Sequence, residues 1–174
     1  KPVTPGPYDV VEVLNVDDKN GWLYYIASPH DPTRRFLYRI ELDGTGTPVR
    51  LTPAKANGYH RYELSSDRKW AFHTFSDFQT PPQTHMVRLP DHKTVRVLAG
   101  NKTVRERVAQ LKRTPVEFFT VPIVNNVKLH AWCMKPYDFD PAKKYPVLFF
   151  VYGEPAGQTV KDRWGRKIYL WHLM

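Results

Sequence analysis

The run Lys144-Tyr145-Pro146-Val147-Leu148-Phe149-Phe150-Val151-Tyr152 leads straight into Gly153-Glu154-Pro155. Val147 to Tyr152 is apolar on both faces, the pattern of a buried central strand. Tyr152 then stands at the carboxyl end of a sheet, where α/β proteins place their sites. Its phenol ordinarily ionises only near pH 10, so it is a hydrogen-bond donor at neutral pH. Position alone favours a plainer role, an aromatic cap on a strand end. Trp164 and Glu154 lie close enough in sequence to shape the same rim.

Other reactive side chains give weaker patterns. The seven histidines include no His-x-x-x-His pair, so no metal site is expected. The lone cysteine, Cys133, excludes an intrachain disulfide and a cysteine-based zinc site. It sits in the strand-like run Leu129 to Met134, where a small core residue is the expected role. No Gly-x-Ser-x-Gly occurs, so the sequence contains no nucleophile elbow. Asn101-Lys102-Thr103 fits a glycosylation sequon, which matters only in a secreted eukaryotic protein.

These residues need elements to hold them. The chain has 174 residues, room for one domain or parts of two, with 41% hydrophobic and 14% aromatic content. That composition supports a sizeable core, and the aromatics favour pleated surfaces. Sixteen prolines argue against long helices. The net charge is +9, but the cations form scattered pairs among acids, such as Arg34-Arg35 and Lys143-Lys144. A nucleic-acid site needs clustered cations on one face, so none is expected. The apolar run ending at Tyr152 is too short to cross a bilayer. Lys1 to Pro7 has no apolar signal core, and both ends look internal to a longer protein.

The first hundred residues read as short strands. Val10–Leu14, Trp22–Ala27, Arg35–Glu41 and Val49–Leu51 are separated by Asp17 to Gly21, Ser28 to Pro32 and Asp43-Gly44. The unit repeats with Tyr59–Leu64, Trp70–Phe75, Thr84–Leu89 and Thr94–Leu98. Trp22 and Trp70 occupy matching positions, at a spacing within the roughly 40 to 50 residues of a β-propeller blade. Two blades leave apolar faces that neighbouring blades would cover. Asn101 to Leu111 carries Val104, Val108 and Leu111 at helical spacing and is expected to be a linker helix. Val116–Ile123 and Val127–Met134 flank Asn125-Asn126 as a hairpin. Lys167 to Met174 begins a second helix.

Four stretches resemble the dipeptidyl peptidase IV branch of the prolyl oligopeptidase family. They are Asp31 to Arg39; Leu51-Thr52 with Gly58-Tyr59-His60 and Ser65 to Trp70; Ser76 followed by Thr80-Pro81-Pro82; and Lys144-Tyr145-Pro146 through Val151-Tyr152-Gly153-Glu154-Pro155. The second stretch is similar to the family's Leu-Thr, Gly-x-His and Ser-x-Asp-Gly-Lys-Tyr series. The family's commoner turn is Tyr-Gly-Gly-Pro, and Glu154 stands at the second small residue.

The resemblance implies a mostly β fold with some α/β. Residues 1–112 are then the last two four-stranded antiparallel blades of a β-propeller plus the linker helix. Residues 113–174 are the first strands of an α/β-hydrolase domain. It implies a serine exopeptidase that takes dipeptides from amino termini, with Pro or Ala next to the cleaved bond and no cofactor. Tyr152 becomes one of two oxyanion donors. The nucleophile and its Asp and His partners follow in chain order, beyond residue 174, so His60, His73 and His130 are not triad members. The chain alone is expected to be inactive. Its partners are peptide substrates and the rest of the parent polypeptide, in a homo-oligomer, and the parent is periplasmic, secreted or membrane-anchored. The alternative is a non-catalytic propeller module for protein interaction.

Overall fold

A computed structural model describes residues 2–151, 153 and 157–174. Eight strands form two four-stranded antiparallel sheets, each a meander in sequence order. The first holds β1 (Val10–Asp17), β2 (Trp22–Ala27), β3 (Phe36–Glu41) and β4 (Val49–Arg50). The second holds β5 (Tyr59–Leu64), β6 (Trp70–Ser76), β7 (Gln83–Arg88) and β8 (Lys93–Ala99). Trp22 and Trp70 each open the second strand of their sheet, in keeping with the sequence repeat.

The turns follow from local chemistry. Gly21 takes φ 72 and donates to the Asp17 carbonyl at 2.8 Å, closing β1 onto β2. Asp67 accepts from the Lys69 N–H in the β5–β6 turn, and Arg68 sits there at φ 56. A non-glycine residue in that region carries strain. Arg68 uses the conformation to reach across to the first sheet, where its Nε donates to Asp17 at 3.0 Å.

The sheets pack face to face. Tyr24 and Ile26 of β2, Leu37 of β3 and Leu51 meet Tyr62 of β5, Ala71 of β6, Val87 of β7 and Leu89. Burying a side chain such as Leu37 stabilises by about 1.5–3 kcal/mol. The alternate residues Tyr25, Ala27, Tyr38 and Ile40 form a second core on the other face, covered by Val3, Tyr8 and Val10. The far face of the second sheet is open, with Phe72 about half exposed.

The third unit is smaller. Strands β9 (Glu117–Pro122) and β10 (Lys128–Cys133) pair as the expected hairpin. Asn125 and Asn126 turn it with positive φ at both positions, the arrangement whose twist suits a hairpin. Helix α1 (Lys102–Ala109) lies within the expected linker. Of its predicted apolar stripe only Val108 is buried, while Val104 and Leu111 face solvent. Cys133 is half-buried at the end of β10. Helix α2 (Arg166–His172) closes the chain and buries Tyr169. Phe78, Val108, Trp164 and Tyr169 make a third core where α1, α2 and the loop after β6 converge.

One expectation fails. Val147 to Val151 is not part of a strand, and its side chains stand in solvent, Val147 at 71% and Phe149 at 82%. A strand needs neighbours for its N–H and C=O groups. Among the described residues no strand pairs with this run, so its apolar pattern is left largely unburied.

The sheets also share backbone bonds. Arg35 N–H donates to the Gly58 carbonyl at 3.3 Å, and His60 N–H donates to the Arg35 carbonyl at 3.1 Å, a parallel bridge. Gly58 has φ +100, and a Cβ there would lie 2.5 Å from the Ser76 carbonyl oxygen. Gly58→Ala is therefore expected to cost about 1–3 kcal/mol through strained backbone. A denaturant midpoint unchanged from the parent sequence would overturn this account of the junction.

Candidate functional site

Tyr152 lies outside the described residues, as does Glu154 of the same turn. Its flanks are contrasting. The upstream run 147–151 is exposed, whereas the downstream run 158–164 is fastened to loops of both sheets.

Those loops are prepared by their own carboxylates. Asp31 Oδ1 accepts from the Thr33 N–H at 3.0 Å and the Thr33 hydroxyl at 2.6 Å, a tight turn after β2. Asp31 Oδ2 also faces Arg34 Nε at 3.2 Å. Arg35 folds back, donating through Nη1 to the Pro32 carbonyl at 2.7 Å and to Ser28 Oγ at 3.0 Å. In the second sheet Asp77 Oδ1 accepts from the N–H groups of Gln79 at 2.9 Å and Thr80 at 2.7 Å. That turn presents the Phe78 N–H.

The returning chain fits between the loops. Gln158 donates its amide to the Pro32 carbonyl at 2.7 Å and accepts from Arg35 Nη2. Asp162 N–H donates to the Thr33 carbonyl at 2.8 Å. Asp162 is buried, and its carboxylate accepts twice, from Phe78 N–H at 3.0 Å and from Arg34 Nε at 3.1 Å. Trp164 N–H then donates to Ser76 Oγ at 3.3 Å. Beneath lies an aromatic floor in which Phe78 meets Trp132 at 5.0 Å and Trp164 meets Tyr169 at 4.9 Å between ring centroids. The Tyr169 hydroxyl accepts from Arg113 at 3.0 Å.

A cleft of about 380 Å³ opens beside this junction, lined by Tyr8, Ser28, His30, Pro32, Arg35 and Gln158. Arg35 spends its Nη donors on protein acceptors, so the cleft offers an anion little. Among the described residues no three histidine, cysteine or carboxylate side chains are grouped to hold a metal.

The second polar cluster lies between the sheets. His60 and His73 are buried, with His60 Nδ1 and His73 Nε2 2.8 Å apart. His60 Nε2 lies 3.2 Å from the Asn57 carbonyl, to which it must donate. Nδ1 is then the acceptor, and His73 donates to it through Nε2. His73 Nδ1, with no hydrogen-bond partner among the described residues, is left bare. Both rings are thus neutral. Burial holds His60 down to about 4. Burial and, next, the neighbouring His60 hold His73 down to about 2. His73 stacks on Tyr62 at 4.5 Å, and Tyr62 shares hydrogen bonds with Thr52 at 2.9 Å and His92 at 2.8 Å. The sequence gives no sign of this pairing, which depends on cross-strand register. It also gives no sign of Asp162 and Gln158, whose partners Arg34 and Pro32 lie more than a hundred residues away in sequence.

Residues 1–82 match the model of the dipeptidyl peptidase IV N-terminal region. A probable dipeptidyl-aminopeptidase B of Emericella nidulans is 34% identical over 165 residues, covering 92% of this chain and 18% of that protein. A probable dipeptidyl peptidase 4 of Aspergillus flavus is 27% identical over 94% of the chain and 21% of its own length. The crystal structure of Porphyromonas gingivalis dipeptidyl peptidase 4 superposes with a TM-score of 0.84 at 31% identity, covering 97% of this chain. The chain is dipeptidyl peptidase IV-like. It spans about a fifth of the length of these curated relatives and 24% of that crystallised chain.

The resemblance read from four short stretches therefore extends over the fold. In the β5–β6 turn Arg68 adopts positive φ and its guanidinium pairs with Asp17. That pairing holds the Asp17 carboxyl below the usual range.

The histidine pair makes stability depend on pH. The unfolded histidines take up protons near pH 6.5, whereas the folded pair resists until far lower pH. The unfolded state thus binds more protons below pH 6.5, and stability falls as the pH drops. Between pH 7 and pH 5 the loss is expected to be on the order of 1–2 kcal/mol per histidine. His73→Gln, which does not titrate, is expected to remove about half of that slope. Thermal melts across this range check it, and an unchanged slope in the variant would show that the pair is not the titrating element.

Proposed function

We propose that the chain is a segment of a serine exopeptidase that releases dipeptides from the amino termini of peptides, with Pro or Ala next to the cleaved bond. The observation that carries this reading is the match of 97% of the chain to Porphyromonas gingivalis dipeptidyl peptidase 4. The curated relatives named as dipeptidyl peptidases support it. In this reading residues 1–112 are two propeller blades plus the linker helix α1. Residues 113–174 begin an α/β-hydrolase domain. The two meandering sheets packed face to face support the blade assignment.

Hydrolysis of a peptide bond develops negative charge on the carbonyl oxygen. A donor fixed in advance at that oxygen lowers the barrier by about 3–4 kcal/mol. We assign that role to the Tyr152 phenol, with the second donor and the serine nucleophile supplied by residues not in this sequence. Open apolar surface on the second sheet and along Val147–Val151 fits cover by other parts of the parent or by a second copy.

Two measurements test the proposal. The purified chain alone is expected to release no chromophore from an Xaa-Pro substrate, since it has no nucleophile elbow. Turnover blocked by a serine-directed reagent would overturn that. In the active longer protein, Tyr152→Phe keeps the ring and removes the donor. Acylation is expected to slow by roughly a hundredfold or more with little change in melting temperature. A kcat/KM within about twofold of the parent would make Tyr152 a strand cap.

A further inference from the structure

We infer that the buried His60–His73 pair is an acid-released latch on the loop that joins the two sheets. While both rings are neutral the pair holds residues 53–57 in place. A proton taken up by the pair frees this loop and the sheet crossing beside it.

The hydrogen count shows why. The neutral pair carries one hydrogen on His60 Nε2, which lies 3.2 Å from the Asn57 carbonyl. It carries another between the rings, where the two nitrogens are 2.8 Å apart. One further proton puts a hydrogen on His73 Nδ1 as well, whichever ring bears the charge. That nitrogen is buried and has no hydrogen-bond partner among the described residues. A buried charge and an unanswered donor are both unfavourable until water reaches them.

The surrounding groups offer no counter-charge. His85 of β7 and His92 of the β7–β8 turn both act on His73, and burial holds each below the usual histidine range. Arg50, at the end of β4, acts on His60, and Arg105 of α1 acts on His85. Phe36 of β3 and Phe75 of β6 supply only rings. Tyr62 of β5 is a phenol that burial keeps neutral. Asp91 acts on His92 but is itself paired with Arg88.

The loop is the part that can yield. His73 lies in β6, which is paired with β5 on one side and β7 on the other. His60 lies near the start of β5, and none of residues 53–57 before it is buried. Arg50 donates to the carbonyls of Thr52, Pro53 and Ala56, and Arg34 donates to the Asn57 side chain at 3.2 Å. Segments held by exposed or part-buried bonds open first. His60 N–H donates to the Arg35 carbonyl and Arg35 N–H to the Gly58 carbonyl, so the opening reaches the crossing. Histidines of the open form take up protons near pH 6.5, whereas the closed pair resists until far lower pH. The open form binds more protons below that point, so opening is favoured as the pH falls.

Hydrogen exchange in the longer protein that contains this chain tests the latch, read by mass spectrometry as protection relative to the intrinsic rate at each pH. The reporting amides are Ala56, bonded to the Pro53 carbonyl, and His60, bonded to the Arg35 carbonyl. From pH 7 to pH 5 their peptides are expected to lose protection by about a hundredfold, while peptides of β2 change less than about threefold. His73→Gln keeps a donor toward His60 Nδ1 but does not titrate, and is expected to cut the loss to about tenfold or less. His60→Gln, whose amide has both an acceptor and a donor, is expected to do the same, which keeps the test open if His73→Gln does not fold. Unchanged loop protection in the unsubstituted protein would overturn the latch. So would an equal loss over β2, which is global unfolding, or a loss in the variants as large as in the unsubstituted protein.

Discussion

The two sheets meet where the backbone of Arg35 crosses residues 58–60, and two hydrogen bonds there set their mutual position. Everything nearby depends on that crossing. Gly58 must come within a side chain's width of the Ser76 carbonyl, so only glycine fits without strain. The carboxylate turns at Asp31 and Asp77 then aim a guanidinium and an amide at one spot. Asp162 fills it. Without the crossing, the two donors would belong to loops free to move apart, and one carboxylate could not meet both.

The interior between the sheets is held in two ways. Apolar side chains such as Ile26, Leu37 and Val87 supply the larger, non-directional part. The polar line from the Leu37 N–H through Thr52 and Tyr62 to His92 supplies direction. Beside it one tautomer assignment of the neutral His60–His73 pair serves both of its hydrogen bonds. Such networks specify a unique packing when complete and are costly when broken. Arg50 extends the same principle, stacking on Phe36 at 3.7 Å and donating to the carbonyls of Thr52, Pro53 and Ala56. It fixes the loop that delivers Asn57 to His60.

The contrast between the two ends of the chain is instructive. The first sheet buries both faces, because residues before β1 return over Tyr25 and Tyr38. Val147–Val151 has equal apolar character and buries neither face. Composition says that such a run should be covered. Coverage itself requires neighbours at strand spacing, and those are a property of the assembled sheet.

The sequence by itself determined the order and type of the elements. Turn residues at Asp17 to Gly21, Ser65 to Lys69 and Asn125-Asn126 act through local backbone preferences, so every strand of the two sheets and the hairpin was legible within a residue or a few. The repeat of Trp22 and Trp70 was legible for the same reason, since each strand repeats one local pattern. Tertiary structure alone decided which polar groups met. Asp162, Arg34 and Phe78 are unremarkable in sequence, as are His60 and His73. Their pairing depends on strand register and on the crossing at Arg35, and one residue of slip would turn each strand side chain to the other face. The fate of Val147–Val151 was likewise undecided by its residues. Hydrophobicity states what favours burial, and packing states what is there to bury it.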